Sequence, residues 1–289
     1  MSPTFEFLVA TIIFGTNGFF IKYIQAPNEL SIMFRGLFGS LFLLCVMFLN
    51  KDLPDLKRIK SNFKYLALSG IVMGLYWILL YKGYDYSLSV TALINNMAPI
   101  FAMLVSTVIF KEKISNKQAV CVCFVLLGIV LISGVLDGQL AVDYHSLLYG
   151  FAASFGFVAI LMINKKINDV KPLDKSFIQL FFAFLTILPV VIFGHKIPSS
   201  IDSVSLIFMI SMGMINTGLA YMLYFHSLPN VSGYKIAILS YLESIIAILI
   251  DTFIFNQPLG INGMIGAAII IVSACMSELM DSNKSKQEN

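Results

Sequence analysis

One carboxylate, Glu243, lies within a long apolar stretch of the sequence. An ionisable side chain is unfavourable in such a stretch unless it has a structural or functional role. Glu243 follows Lys235 by eight residues, and on a helix this spacing places it about 12 Å further along the axis. An ionisable side chain near the centre of a bilayer costs about 2.5 to 3.5 kcal/mol on insertion scales. Glu243 therefore either faces a polar cavity, where it can bind a proton, a cation or a substrate amine, or is a buried structural partner.

Two apolar segments each carry a stripe of small and polar residues at helical spacing. The first stripe runs through Asn95 and Pro99, with Asn96 beside it, and the second runs through Ser240, with Tyr241 beside it. Such a stripe either lines a cavity or lets two membrane helices approach closely. Proline leaves a backbone carbonyl without its helical donor, and amides need partners that lipid cannot supply, so a cavity is favoured.

Five further polar or aromatic residues inside apolar segments are candidates for lining the same pathway. Arg35 either reaches the headgroup region or faces the cavity, and Asn17, Asn216 and Thr217 lie at mid-segment. Tyr221, together with Tyr224 and Tyr241, could form with Glu243 a cage for an organic cation.

A second group of aromatic residues is expected to play a different part. These residues lie near one end of the third apolar segment, as is typical of an interfacial belt: Tyr76, Trp77, Tyr81, Tyr84 and Tyr86.

The composition explains why these polar residues are so few. The chain has 289 residues, of which 58% are apolar and 12% charged, whereas soluble domains carry about 25% charged residues. This excludes an ordinary soluble enzyme and a disordered chain. The net charge of +3 gives no support to nucleic-acid binding. The sequence therefore predicts a polytopic membrane protein.

Ten apolar segments are long enough to cross a hydrocarbon layer, which takes about 20 helical residues. They leave no room for a soluble domain. Lysine and arginine concentrate in alternate connections, which predicts that both termini are cytoplasmic. The segments are 5–25, 29–50, 63–83, 87–110, 118–136, 146–164, 175–194, 203–226, 234–255 and 260–280.

The second half of the sequence resembles the first. Residues 87–110 align with 232–255 without a gap, and Gly74 matches Gly218 after a slip of one residue. If the unit is five helices, its second copy is inverted in the membrane, and such pairs build a central site with alternating access. Chance matching between segments rich in Leu and Ile is the other explanation. We predict an all-α fold of ten transmembrane helices in two inverted five-helix repeats, 1–140 and 141–281, followed by a cytoplasmic tail, 282–289.

An intramembrane enzyme is the competing class, and the sequence offers it no machinery. It contains no HExxH, GxSxG or phosphate-binding loop motif. The three histidines, His145, His195 and His226, lie at or beyond predicted helix ends. We therefore expect no enzymatic activity, no cofactor and no bound metal. The expected partners are a small solute and the lipid bilayer, and the sequence does not indicate an oligomeric state.

Two long runs resemble the drug/metabolite transporter superfamily, EamA type. They are ALINNMAPIFAMLVSTVIFKEKIS, with Pro99 and Glu112 at the family's usual positions, and TGLAYMLYFHSLPNVSGYKIAILSYLES. Phe14, Gly15 and Asn17 resemble the family's Trp-Gly-x-Asn start. One departure is that Ser244, not proline, follows Glu243, so a proline kink is not expected there. A second is that Gln257 and Pro258 replace the acidic residue with which the family closes this segment.

The resemblance implies a secondary transporter in the plasma membrane, commonly one that exports amino acids or related compounds. Its two halves would rock about a midplane cavity lined by helices 1, 3, 4, 6, 8 and 9. Glu243 would bind a proton or a cationic group, while Asn95, Asn96, Ser240 and Tyr241 orient the solute. Uptake of a choline-like quaternary amine is the alternative, and a purely structural subunit is a third hypothesis.

Overall fold

The computed structural model describes residues 2–51, 54–109, 116–132, 143–254 and 260–285. The predicted repeat boundary at 140/141, Glu112, Gln257 and Pro258 lie outside these ranges, and helix α14 extends to Ser285, into the predicted tail. The helices are α1 Pro3–Gly15, α2 Asn17–Lys22, α3 Asn28–Leu49, α4 Leu56–Tyr86, α5 Leu88–Asn95, α6 Ala98–Ile109, α7 Asn116–Ile132, α8 Tyr144–Asn164, α9 Pro172–Phe193, α10 Ser203–Ser211, a π-helical turn Met212–Leu219, α11 Ala220–Ser227, a 3₁₀ turn Leu228–Asn230, α12 Gly233–Leu239, α13 Leu242–Phe253 and α14 Ile261–Ser285.

The described part of the chain is helical, and six stretches are long and apolar enough to cross a membrane. Shorter apolar helices lie at 100–109, 119–131 and 261–273. The protein is thus a multi-pass helical membrane protein, and the count of ten helices stays a prediction. The six stretches are Pro3–Lys22, Asn28–Leu49, Leu56–Tyr86, Tyr144–Asn164, Pro172–Phe193 and Ser203–Asn230.

Two of the predicted helices are each divided at corresponding places. The break between α5 and α6 follows Asn95, and the break between α12 and α13 follows Leu239. At the first break Pro99 has no N–H to donate to the carbonyl four residues earlier. The second break forms without a proline, and there the Ser240 hydroxyl bonds the Ile236 carbonyl at 2.6 Å. Discontinuous helices of this kind are typical of transporter binding sites.

The helices pack mainly across the two halves of the sequence. Helix α4 packs on α8 and α9, while α3 packs on α9 and on the π-helical turn. Helix α1 packs on α11 and α13, and α5 and α6 pack on α8. Helices α7 and α14 pack on each other, and α12 contacts both of them.

Two glycines allow close contact at two of these crossings. A methyl group on Gly74 would lie 2.8 Å from Thr186 Cβ and 2.9 Å from the Ala183 carbonyl oxygen. A methyl group on Gly218 would lie 2.7 Å from Phe42 Cδ1 and 3.1 Å from the Gly39 carbonyl oxygen. The same 144 residues separate Gly74 from Gly218, Gly39 from Ala183, and Phe42 from Thr186. The α4–α9 crossing therefore has a counterpart between the π-helical turn and α3.

The predicted aromatic belt on α4 is wrong for most of its members. Tyr76, Trp77 and Tyr81 are buried in the main apolar core at 7%, 1% and 3% exposure, and Tyr84 is half-buried. Only Tyr86, at the end of the helix, is exposed. These side chains turn toward the neighbouring helices because α4 is enclosed by α8 and α9, so they belong to the interior of the bundle.

Candidate functional site

Arg35 is a buried cation in the middle of the bundle. Helix α3 places it at 5% exposure. Its Nε donates to Thr217 Oγ1 at 3.1 Å, its Nη1 donates to the Tyr81 hydroxyl at 3.4 Å, and its guanidinium carbon lies 4.8 Å from the Trp77 ring centroid. Of the two locations expected for Arg35, the structure shows the interior and not the headgroup region.

Glu243 lies in the first turn of α13, directly after the break in that segment. It is an exposed residue, yet the groups that its charge reaches belong to the interior of the bundle. These are Arg35 on α3, Tyr76 on α4 and Tyr221 and Tyr224 on α11, all of them buried. Glu243 thus has exposed surface, while the groups within range of its charge are buried on three helices.

Arg35 and Glu243 influence each other without touching. Their charges interact through space, but among the described residues no Arg35 nitrogen lies within 4.0 Å of a Glu243 carboxylate oxygen. The hydroxyls of Thr217 and Tyr81 are neutral partners for the guanidinium. The interior thus presents a positive and a negative group with a gap between them.

The two helix breaks carry polar residues, and the second break lies directly before Glu243. Asn95 Nδ2 donates to the Tyr76 hydroxyl at 3.4 Å, and Tyr241 is buried at 1% exposure. Asn95 Oδ1 and the Tyr241 hydroxyl have no hydrogen-bond partner among the described residues. Asn96 and Ser240 are half-buried. Buried polar atoms without partners are uncommon and cost about 1 to 3 kcal/mol each, so a polar solute or water would stabilise this region.

Asn216 contacts the junction of α1 and α2, the junction at which Asn17 lies. Asn216 is completely buried and donates from Nδ2 to the Ile13 carbonyl at 2.6 Å and to Thr16 Oγ1 at 3.1 Å. Asn17 begins α2, and its Oδ1 has no partner among the described residues. Asn216 therefore makes contacts within the protein, between the π-helical turn and α1.

Aromatic rings fill the space beside the charged pair. Tyr221 lies 5.0 Å from Phe14 and 6.1 Å from Trp77 between ring centroids, and Tyr224 lies 5.2 Å from Phe7. The Tyr224 hydroxyl has no hydrogen-bond partner among the described residues. Tyr221 and Tyr224 also lie within electrostatic range of Glu243, and the cation cage itself stays a prediction.

Sequence inspection names Thr217 as a pathway candidate but missed two contributors to the site, Trp77 and Tyr81, and missed that all three residues contact Arg35. Their spacing from Arg35 in the sequence gives no signal, because the contacts join different helices. It also missed a side-chain contact between Glu6 Oε2 and His226 Nδ1, which links α1 to α11 at one end of the bundle. Beside this pair is a cavity of about 400 Å³, lined by Glu6, Lys171, Pro172, Leu173, Met222, Leu223 and His226.

The fold and this interior define a class of protein: a multi-pass helical membrane protein with a charged, polar centre. Residues 4–134 and 145–278 each match the model of the EamA-like transporter family. The chain belongs to this family, which confirms the resemblance noted in the sequence. The protein is a membrane transporter, and the family indicates transport rather than enzymatic activity.

Relatives agree with this assignment. The Bacillus subtilis (strain 168) protein named Uncharacterized transporter YxxF is 24% identical over 253 residues, which cover 86% of this chain and 80% of that protein. A Helicobacter pylori (strain J99) protein named Uncharacterized transporter is 25% identical over 289 residues, covering 94% and 93%. A crystal structure of a protein with 15% identity shares the fold, with a TM-score of 0.82 over 96% of this chain and 98% of that chain.

Proposed function

We propose that this protein is a secondary transporter that exports an amino acid or a related small metabolite across the plasma membrane by alternating access. One observation carries the proposal: the buried Arg35 guanidinium donates to two neutral hydroxyls, and its nitrogens lie more than 4.0 Å from the Glu243 carboxylate, with whose charge it interacts. An amino acid carries a carboxylate and an ammonium group on one carbon atom. Bound between the two residues, it would satisfy both charges at once.

The chemistry of Arg35 and of Glu243 supports an amino acid bound with its carboxylate toward Arg35 and its ammonium group toward Glu243. A guanidinium binds carboxylates through two parallel N–H donors, and Thr217 and Tyr81 already fix its plane. A carboxylate beside aromatic rings binds an ammonium group by charge and by cation–π attraction. Asn95, Asn96, Ser240 and Tyr241, together with Asn17 and Tyr221, would orient the rest of the solute. Glu243 would be the site of any proton coupling.

The helix contacts indicate which two groups of helices would move relative to each other during transport. Helices α1, α11 and α13 pack together, as do α4, α5, α6 and α8. Each group contains helices from both halves of the sequence. We propose that these two mixed groups, rather than residues 1–140 and 141–281 as blocks, rock about the pair of charges. The inverted repeat and cytoplasmic termini are part of the same proposal.

Uptake of an organic cation is the second candidate, because Tyr221 and Tyr224 lie in electrostatic range of Glu243. Arg35 argues against it, since a permanent cation near a buried guanidinium is repelled and leaves that guanidinium without an anion.

Thermal unfolding of the purified protein with a panel of solutes tests the two candidates. A ligand that binds the native state raises Tm. We expect a zwitterionic amino acid to raise Tm and to support counterflow in proteoliposomes, while choline does neither. Stabilisation by choline alone would favour the second candidate.

The Glu243→Gln variant is expected to insert normally and to lose most of its counterflow. Full activity with an unchanged pH profile would contradict the role of Glu243.

A further inference from the structure

The π-helical turn contains one more residue than the corresponding part of α4. Gly70 and Gly74 are four residues apart and both contact α9, whereas Gly213 and Gly218 are five apart and both contact α3. In a π-helix the backbone hydrogen bonds join residues five positions apart, one more than in an α-helix. Such one-residue insertions are frequent at functional sites. The insertion lies next to the candidate site.

The inserted turn connects two other helices through consecutive residues. Thr217 accepts a hydrogen bond from Arg35 on α3. Asn216, one residue earlier, donates to the Ile13 carbonyl and to Thr16 Oγ1 on α1. Thr16 is the residue at which α1 stops and α2 begins. The Asn216 amide therefore fixes the break between α1 and α2.

That break lies against the backbone of Glu243. A methyl group on Gly15 would lie 2.8 Å from the Glu243 carbonyl oxygen and 2.6 Å from Ile246 Cβ. Only glycine fits between the end of α1 and the start of α13. A shift of the α1 end must therefore move Glu243 or be blocked by it.

From these contacts we propose that Asn216 is a positioning residue: it pins the break between α1 and α2, and the break sets where Glu243 lies. The Asn216 Nδ2 atom serves this role, while its Oδ1 has no hydrogen-bond partner among the described residues, so the solute contact expected from the sequence stays a prediction. The inference rests on the proposed function only for the importance of Glu243. It explains why an asparagine without any exposed surface lies so close to the site.

Cysteine labelling tests the position of residue 243 without requiring transport. In a background with Cys45, Cys121, Cys123 and Cys275 changed to serine, Glu243→Cys is reacted with 2-aminoethyl methanethiosulfonate, and the rate is measured. Adding Asn216→Ala is expected to change this rate by at least about threefold, the size of a modest coupling between contacting residues.

The matched control is Asn164→Ala. Asn164 is also buried, at 3% exposure, and also donates from Nδ2 to two acceptors, Ser69 Oγ and the Ile160 carbonyl. It lies on α8, and its two acceptors belong to α4 and α8, not to the break between α1 and α2. Asn164→Ala is expected to leave the labelling rate at residue 243 within about twofold. An equal change in both variants would mean general loosening and would overturn the proposal.

Thr16→Val keeps the shape of the side chain but removes the hydroxyl that accepts from Asn216. It serves as the second variant if Asn216→Ala does not fold. It should change the labelling rate in the same direction, and the double variant should add little to Asn216→Ala alone. An unchanged rate in Thr16→Val overturns the proposal. A failure of transport by the wild-type protein would contradict the proposed function but would not alter these labelling results.

Discussion

The guanidinium carbon of Arg35 lies 4.8 Å from the centroid of the Trp77 ring, and its nitrogens donate to hydroxyls on two other segments. These partners are all neutral. A ring face and two hydroxyls hold the plane of the guanidinium while leaving its charge without an anion among the described residues. This arrangement leaves the Arg35 guanidinium able to bind and release the anionic group of a solute.

Arg35→Lys keeps the charge but should lose most of the transport. A lysine ammonium has no plane to stack on Trp77 and cannot donate in two fixed directions to Thr217 and Tyr81. We expect counterflow to fall by at least about tenfold, which corresponds to about 1.4 kcal/mol. The measurement is counterflow in proteoliposomes at equal protein content. Wild-type rates in Arg35→Lys would show that charge alone is sufficient.

Gly74→Ala and Gly218→Ala should both lower stability. Each added methyl group would overlap the opposite helix, at 2.8 Å from Thr186 Cβ or 2.7 Å from Phe42 Cδ1. Overpacking of this kind costs about 1 to 3 kcal/mol. Thermal unfolding in detergent measures the effect. Gly18→Ala is the control, because a methyl group there has no atom within 4 Å, and its Tm should not fall.

Asn164→Ala should destabilise the protein without changing its transport specificity. Asn164 joins α8 to α4 through Ser69 and accepts from Gln179 Nε2 on α9 at 2.9 Å. Removing it leaves the Gln179 amide without that acceptor, at a cost of about 1 to 3 kcal/mol. We expect a lower Tm and an unchanged ranking of solutes in counterflow. A changed ranking would place this network in the binding site.

Asp202 should make the start of α10 sensitive to acid. Its carboxylate accepts from the Ser205 amide at 2.8 Å, and hydrogen bonds from the Ser205 side chain and backbone hold the pKa of Asp202 below its ordinary value. The stabilisation is therefore complete above the ordinary carboxyl pKa of about 4 and is lost as the pH falls through the lowered value.

Asp202→Asn retains the helix cap but cannot titrate. Comparing Tm for the two proteins as the pH is lowered should show the wild type losing relative stability. Parallel Tm curves would contradict this.

The sequence does not predict the helix breaks, because 87–110 and 234–255 each read as one continuous helix and no kink is expected beside Glu243. The polar residues that lipid cannot satisfy nevertheless lie at or beside the breaks: Asn95, Ser240 and Glu243. Hydropathy is less informative about which side of a helix faces lipid. For that reason Tyr76 and Trp77 were assigned to the membrane interface, although both face the interior.

The π-helical turn is not predictable from hydropathy. One extra residue in an apolar helix leaves the average hydropathy unchanged and is detectable only as a slip in the alignment of the two halves. Likewise, the contacts of Arg35 with Thr217 and Tyr81 join residues 182 and 46 positions apart in the chain. Such contacts follow from packing, which a single sequence does not contain.

The crossings of α3 and α4 with α9 also bear on how the chain is made. When the first half leaves the ribosome, Gly36, Gly39, Gly70 and Gly74 present flat grooves whose matching ridges have not yet been synthesised. Until α9 and the π-helical turn enter the bilayer, those grooves can contact only lipid or a foreign helix. A ribosome that stalls after α7 would therefore release a fragment that quality-control proteases should remove, and separately encoded halves should mature only when both reach the same membrane.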